Sequence, residues 1–203
     1  MTGDAIVRTM TEPEGNQVKQ TLTALVESAD REGMTDYLLI GGNAVIAHGV
    51  PRFTRDVDFV IPERVNLEWR SFLEQQGFFF LHGTTAFQQF HDSAGGKPGI
   101  DLMLVHESTW NKLSADAWIL DLGGQLTARV ASPQHIIAMK LKACLSEHRR
   151  DDAVDWSDIV ELSRVHGFDP RTDEKFAAFV LEFGGETLLQ KLIDEIADRR
   201  KRG

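Results

Sequence analysis

Arg52-Phe53-Thr54-Arg55-Asp56-Val57-Asp58-Phe59-Val60-Ile61 is the stretch on which the reading of this chain turns. Its alternation predicts a β-strand over about 55–61, and residues i and i+2 of a strand share a face. The carboxylates of Asp56 and Asp58 then project together, while Val57 and Phe59 point the other way into a core. Two like charges held side by side cost free energy unless something positive lies between them. A divalent cation, Mg²⁺ or Mn²⁺, is the natural candidate. Upstream, Gly41-Gly42 supplies backbone that can approach a phosphate closely.

A further acid lies in Ile100-Asp101-Leu102-Met103-Leu104, an otherwise apolar run that reads as a strand over 99–105. A lone carboxylate there needs a partner, a solvated edge or a cation. If this strand neighbours the 55–61 strand, Asp101 joins Asp56 and Asp58 in an oxygen cup. The remaining octahedral positions of a Mg²⁺ ion would go to water and substrate phosphate.

Around these acids the pattern is mixed. Residues 1–14 are polar and predict a weakly ordered lead-in. Val18, Leu22, Leu25 and Val26 recur at helical spacing and predict a helix that stops near Gly33. Tyr37–Ile40 reads as a buried strand ending in the glycine pair, and 43–48 as a short helix. A helix over 63–76, a hairpin over 78–90, a helix over 107–113 and strands near 117–121 and 126–130 complete an α/β domain over 15–131. Ser132-Pro133 then opens a helix in the preferred way, with an N-cap and Pro at the first helical position. From there to residue 203 only helices are expected. The fold class is therefore α/β (α+β), a mixed sheet with flanking helices followed by an all-helical C-terminal region.

Turning the C-terminal helices by about 100° per residue places a charge where apolar residues belong. In helix 132–146, Lys140 falls between Ile136 and Cys144 on the apolar arc, and Lys142 falls on the polar side. In helix 151–165, Val154, Ile159, Leu162 and Val165 set the expected inner face, with Asp155 and Asp158 inside it. An inward lysine needs an anion. It is either one half of a buried ion pair or a phosphate ligand oriented by one of these aspartates, and the sequence does not choose between Asp155 and Asp158.

The formal charge of −9 and pI near 5.2 argue against a broad basic surface for duplex DNA or RNA. Arg199-Arg200-Lys201-Arg202 reads as cations at a helix end. The single cysteine, Cys144, cannot form an intramolecular disulfide and points to a reducing compartment. No apolar run approaches the ~20 residues of a membrane span, and the N-terminus lacks an apolar signal core, so a cytoplasmic, membrane-free protein is expected. The seven histidines show no zinc-ligand spacing with Cys144.

Gly41-Gly42, thirteen residues, Asp56-Val57-Asp58 and then Asp101 resembles the signature of the nucleotidyltransferase superfamily, the DNA polymerase β-like fold. Further on, Ala138-Met139-Lys140, Arg149 and Asp155-Trp156-Ser157-Asp158 is similar to the lysine and paired-aspartate motifs of AbiEii-type toxin nucleotidyltransferases. The resemblance spans about residues 36–165. It implies transfer of a nucleoside monophosphate from an NTP to a hydroxyl on RNA (a tRNA end) or protein, with two Mg²⁺ ions and, for a toxin, a cognate antitoxin. Carried onto this chain, it implies Asp56, Asp58 and Asp101 as metal ligands and, with Lys140 and Asp158, as catalytic residues. Gly41, Gly42, Asn43, Arg52, Thr54 and Lys140 become the nucleotide-binding set. One departure is Gly42, where many members carry a phosphate-holding Ser. The rival reading is a catalytically weak nucleotide-binding regulator of the same fold, which the intact carboxylates disfavour.

Overall fold

The computed structural model describes residues 12–123, 126–146 and 152–202. Among these are seven strands and seven α-helices, in mixed parallel and antiparallel pairings that match the expected fold class. They form two compact units, each assembled from two stretches of chain. The first takes the residues up to Tyr37 and Phe53–Trp110, and the second takes Leu38–Arg52 and Asn111 onward.

The first unit opens with α1 (Glu12–Arg31), so the helix reaches back into the predicted lead-in; residues 1–11 lie outside the described set. β2 (Val57–Pro62) is followed by a short 3-10 turn (Glu63–Val65) and α3 (Asn66–Gln75). β3 (Phe78–Gly83), β4 (Phe87–Asp92) and β5 (Ile100–Val105) follow, and α4 (Glu107–Ala115) leads out of the unit. The strands lie in the order β3-β4-β5-β2. β3–β4 and β4–β5 are antiparallel hairpin partners, whereas β2 and β5 run parallel, as a long connection through α3 and the hairpin permits.

β2 is buried from Phe59 to Pro62, on both faces, so only its first turn of pleat can carry charge. Beneath it Tyr37, Phe59, Trp69 and Phe72 form a chain of edge-on and tilted rings with centroids 5.3–5.5 Å apart. Phe59, Trp69, Phe72, Phe90, Ile100 and Leu102 are fully buried there. At about 25 cal/mol per Å² of apolar surface, such aromatic burial adds substantially to the stability of this unit.

The second unit holds β1 (Leu38–Leu39), α2 (Gly41–Ala47), β6 (Trp118–Gly123), β7 (Leu126–Val130), α5 (Pro133–Cys144), α6 (Asp152–Val165) and α7 (Glu174–Arg202). β1 pairs parallel with β7 through Leu39 and Val130, and β7 pairs antiparallel with β6. This pairing draws residues 38–52 to the C-terminal helices, so the units do not follow a single cut near residue 131. Ser132 caps α5 as expected, its Oγ accepting from the His135 amide at 3.3 Å. α7 is broken by Gly185 at φ 74°, ψ 176°. None of the described helices is long and apolar enough to cross a membrane.

The inner face of α6 differs from the expected one. Val154 and Val165 are 44% and 38% exposed. Asp155, Asp158, Ile159 and Leu162, at the i, i+3, i+4, i+7 spacing of a helix face, are buried together with Trp156, Val160 and Ser163. The valines mislead because hydrophobicity alone centres the arc on them, whereas the partners of the two aspartates turn the helix toward α5.

Candidate functional site

In the first unit the parallel register decides the geometry of the acids. Asp58 on β2 and Asp101 on β5 are direct partners. Register partners in a parallel pair point to the same face about 4.8 Å apart, so their carboxylates stand side by side. Asp56 lies one residue before β2 begins, slightly outside the predicted strand. The pairing nevertheless extends to it, since the Val57 amide donates to the Gly99 carbonyl at 3.0 Å. Asp56 therefore adds a third carboxylate to the same face, as the spacing predicts.

Two neighbours of these acids escape a local reading of the sequence. Gly99 is the first. A Cβ placed on it would sit 2.9 Å from Asp56 Oδ1, so the carboxylate lies over the bare backbone of Gly99 and also accepts a hydrogen bond from its amide. The signal was present: Gly99 is two residues before Asp101 at the mouth of an apolar strand. Gln89 is the second. It is the register partner of Asp101 across β4–β5, and its Nε2 donates to Asp101 Oδ1 at 3.0 Å. Nothing local in the sequence marks it, because the β4–β5 register is a tertiary fact.

Electrostatics sharpen the picture. Partial burial raises the carboxyl of Asp56 above its ordinary pKa, against the opposing influence of His91, Arg55 and the Gly99 amide. Burial also raises that of Asp101, and the charge of Asp56 works with it; the Gln89 hydrogen bond and the nearby His91 and His82 work against it. The influence of Asp56 on Asp101 is a like-charge repulsion between neighbouring acids. Among the described residues no three His, Cys, Asp or Glu side chains close on a single point tightly enough to hold a metal ion as they stand. The donor types themselves suit a hard divalent cation: the carboxylate oxygens of the register partners Asp58 and Asp101, with that of Asp56 beside them. The cradle that only a glycine permits beneath Asp56 fits it as well. Thr54 uses its hydroxyl locally, donating to the Asp56 carbonyl at 3.3 Å.

In the second unit the glycine pair opens α2. Gly41 has φ 60°, a left-handed conformation that favours glycine, and Gly42 and Asn43 are buried behind it. Lys140 is buried, with Nζ 2.8 Å from Asp155 Oδ1 and 2.6 Å from Asp158 Oδ2. The choice between the aspartates thus resolves as both. Arg52 also pairs with Asp158 through Nη1. Two cations and two carboxylates form a compact network joining α5, α6 and the segment after α2. Its charges are balanced, so it is held as an ion cluster rather than as an unpaired lysine. Arg149 and the side chains of Arg199–Arg202 lie outside the described set.

No protein-family model matches the chain, and no curated protein matches it. Solved structures do. The chain superposes with a TM-score of 0.55 at 16% identity on an antigenic nucleotidyltransferase-like protein from Paracoccidioides brasiliensis, over 89% of this chain and 94% of that one. It superposes on ANT(2")-Ia, determined in complex with adenylyl-2"-tobramycin, with a TM-score of 0.55 at 17% identity, over 89% and 97%. The Megavirus polyadenylate synthase gives a TM-score of 0.53 at 11% identity, over 74% of this chain and 32% of that one. At such identities the likeness is one of architecture: this chain has the fold of nucleotidyltransferase-like proteins.

Proposed function

We propose that this protein is a Mg²⁺-dependent nucleotidyltransferase that moves a nucleoside monophosphate from an NTP to a hydroxyl of RNA or protein. The observation that carries the reading is the row of acids: Asp58 and Asp101 as parallel register partners, with Asp56 on the same face. The order of Lys140, Asp155 and Asp158 supports the finer placement as an AbiEii-like toxin, with an antitoxin as partner.

Asp56, Asp58 and Asp101 would hold the divalent cation. When bound, it supplies Lewis-acid charge at the phosphoryl oxygens. Gly99 keeps the Asp56 carboxylate in place through its amide and its missing side chain. Asp101, whose burial raises its proton affinity, is the residue suited to take the proton from the acceptor hydroxyl. In the second unit the Gly41-Gly42 turn, with Asn43 behind it, offers backbone amides of the kind that bind phosphate. Lys140 and Arg52 carry the positive charge of that unit's ion cluster, and Asp158 holds both in position.

The test is incubation with each α-labelled NTP, Mg²⁺ and either total RNA or cell lysate. Label entering RNA or protein, and absent with Asp58→Ala, is the expected result. Binding of Mg-NTP without transfer to any acceptor would leave a nucleotide-binding regulator instead.

A further inference from the structure

The acids of this protein are held by two different kinds of partner. Asp155 and Asp158 face cations, Lys140 and Arg52. Asp101 faces a neutral amide: Gln89 Nε2 donates to Oδ1 at 3.0 Å, and among the described residues no Lys or Arg pairs with Asp101. The placement is built into the sheet. Asp58, Asp101, Gln89 and His82 are successive register partners on β2, β5, β4 and β3, one polar residue per strand. Gln89 is itself half-buried, so its side chain is already confined when it meets the carboxylate.

The chemical difference matters. A lysine or arginine beside a carboxylate fixes it but cancels its charge and competes with any other cation for it. An amide donates one hydrogen bond, fixes the rotamer, and leaves the charge undiminished for a metal. We propose that Gln89 is the positioning residue of Asp101: it occupies one carboxylate oxygen so that the other is presented to the divalent cation and the acceptor hydroxyl. This rests on the reading of the acid row as a nucleotidyl-transfer centre.

Two substitutions separate positioning from simple structural support. Gln89→Met keeps the length and removes the donor. Gln89→Lys restores a donor but brings a neutralising charge. The readouts are the melting temperature, Mn²⁺ binding by electron paramagnetic resonance, and label transfer. For Gln89→Met we expect an unchanged melt, with Mn²⁺ binding and kcat each reduced ~10-fold, the size usual for residues that orient metal ligands. For Gln89→Lys we expect a melt at or above wild type, because an ion pair replaces a repelled carboxylate, with Mn²⁺ binding reduced at least as far. A structural role predicts the reverse for lysine, namely rescue.

Mn²⁺ binding within about twofold of wild type in both variants overturns the proposal, since a ligand-orienting contact costs more than that. Loss of a cooperative melt in both variants, or a wild-type protein that binds no Mn²⁺, overturns it too. The two readings can fail separately. Gln89-dependent Mn²⁺ binding in a protein that transfers no label removes transfer and keeps the positioning role. Wild-type transfer that is indifferent to Gln89 does the opposite.

Discussion

Gly99→Ala tests the cradle beneath Asp56 without touching an acid. The added Cβ would lie 2.9 Å from Asp56 Oδ1, 3.8 Å from Asp56 Cγ and 3.7 Å from the Phe90 carbonyl oxygen. An ordinary carbon–oxygen contact is about 3.4 Å or more, so the carboxylate must retreat by roughly half an ångström. The atom that must move is the tip of a side chain on an exposed residue, and the other two contacts are already ordinary. The fold therefore has little reason to suffer, and we expect a loss below about 1 kcal/mol, the range of a surface change without core strain.

The site is less forgiving. Moving the carboxylate also lengthens its hydrogen bond from the Gly99 amide, and charge-assisted bonds of this kind contribute about 1.5–3 kcal/mol. A displaced, less well-held ligand predicts a ~10-fold or greater weakening of Mn²⁺ and a comparable fall in transfer. Thermal melts, Mn²⁺ titration and the label-transfer assay measure the three quantities on one preparation. Wild-type Mn²⁺ affinity in Gly99→Ala would refute the reasoning, because Asp56 would then tolerate a contact that the geometry forbids. A stability loss above about 3 kcal/mol would refute it differently, by showing that Gly99 serves core packing.

Other expectations follow from the same geometry. Lys140→Ala removes the cation shared by Asp155 and Asp158, and removing one partner of a buried ion cluster costs about 3–5 kcal/mol, measurable by urea unfolding. Survival of the fold with only lost activity would instead favour the phosphate-ligand reading of Lys140. Asp101→Asn keeps the oxygen that accepts from Gln89 and removes a charge repelled by Asp56, so it should raise Tm by about 1–4 °C in metal-free buffer at pH 7 while abolishing transfer. A lower Tm would count against the crowding of these acids. Burial holds His48, His135 and His166 below their ordinary value of 6.5. The unfolded chain thus binds more protons, so their contribution is fully present above pH 6.5 and is lost as pH falls toward the folded values. Urea unfolding at pH 7.5 and 5.5 should show this drop, and a His48→Gln/His166→Gln double variant should flatten it. The raised carboxyls of Asp56 and Asp101 act in the opposite sense, losing stability as pH rises above 3.8, so the histidine variant isolates the effect.

What the sequence determines by itself is local and periodic. Alternation set Asp56 and Asp58 on one face, the apolar run around Asp101 announced a strand with one acid in it, and helical spacing turned Lys140 inward while leaving Lys142 outside. These signals survive because strand and helix periods depend only on neighbours along the chain. Where hydrophobicity competes with buried charge the local signal fails, as Val154 and Val165 show. Only the tertiary structure decided the rest. The β2–β5 register put Asp58 beside Asp101, and the β4–β5 register brought Gln89 to the same carboxylate. The packing of α5 on α6 gave Lys140 both aspartates, and Gly99 proved to be the floor under Asp56. Each is a contact between segments whose pairing no local pattern encodes. A strand's period says which face a carboxylate takes; only the neighbouring strand says what stands next to it.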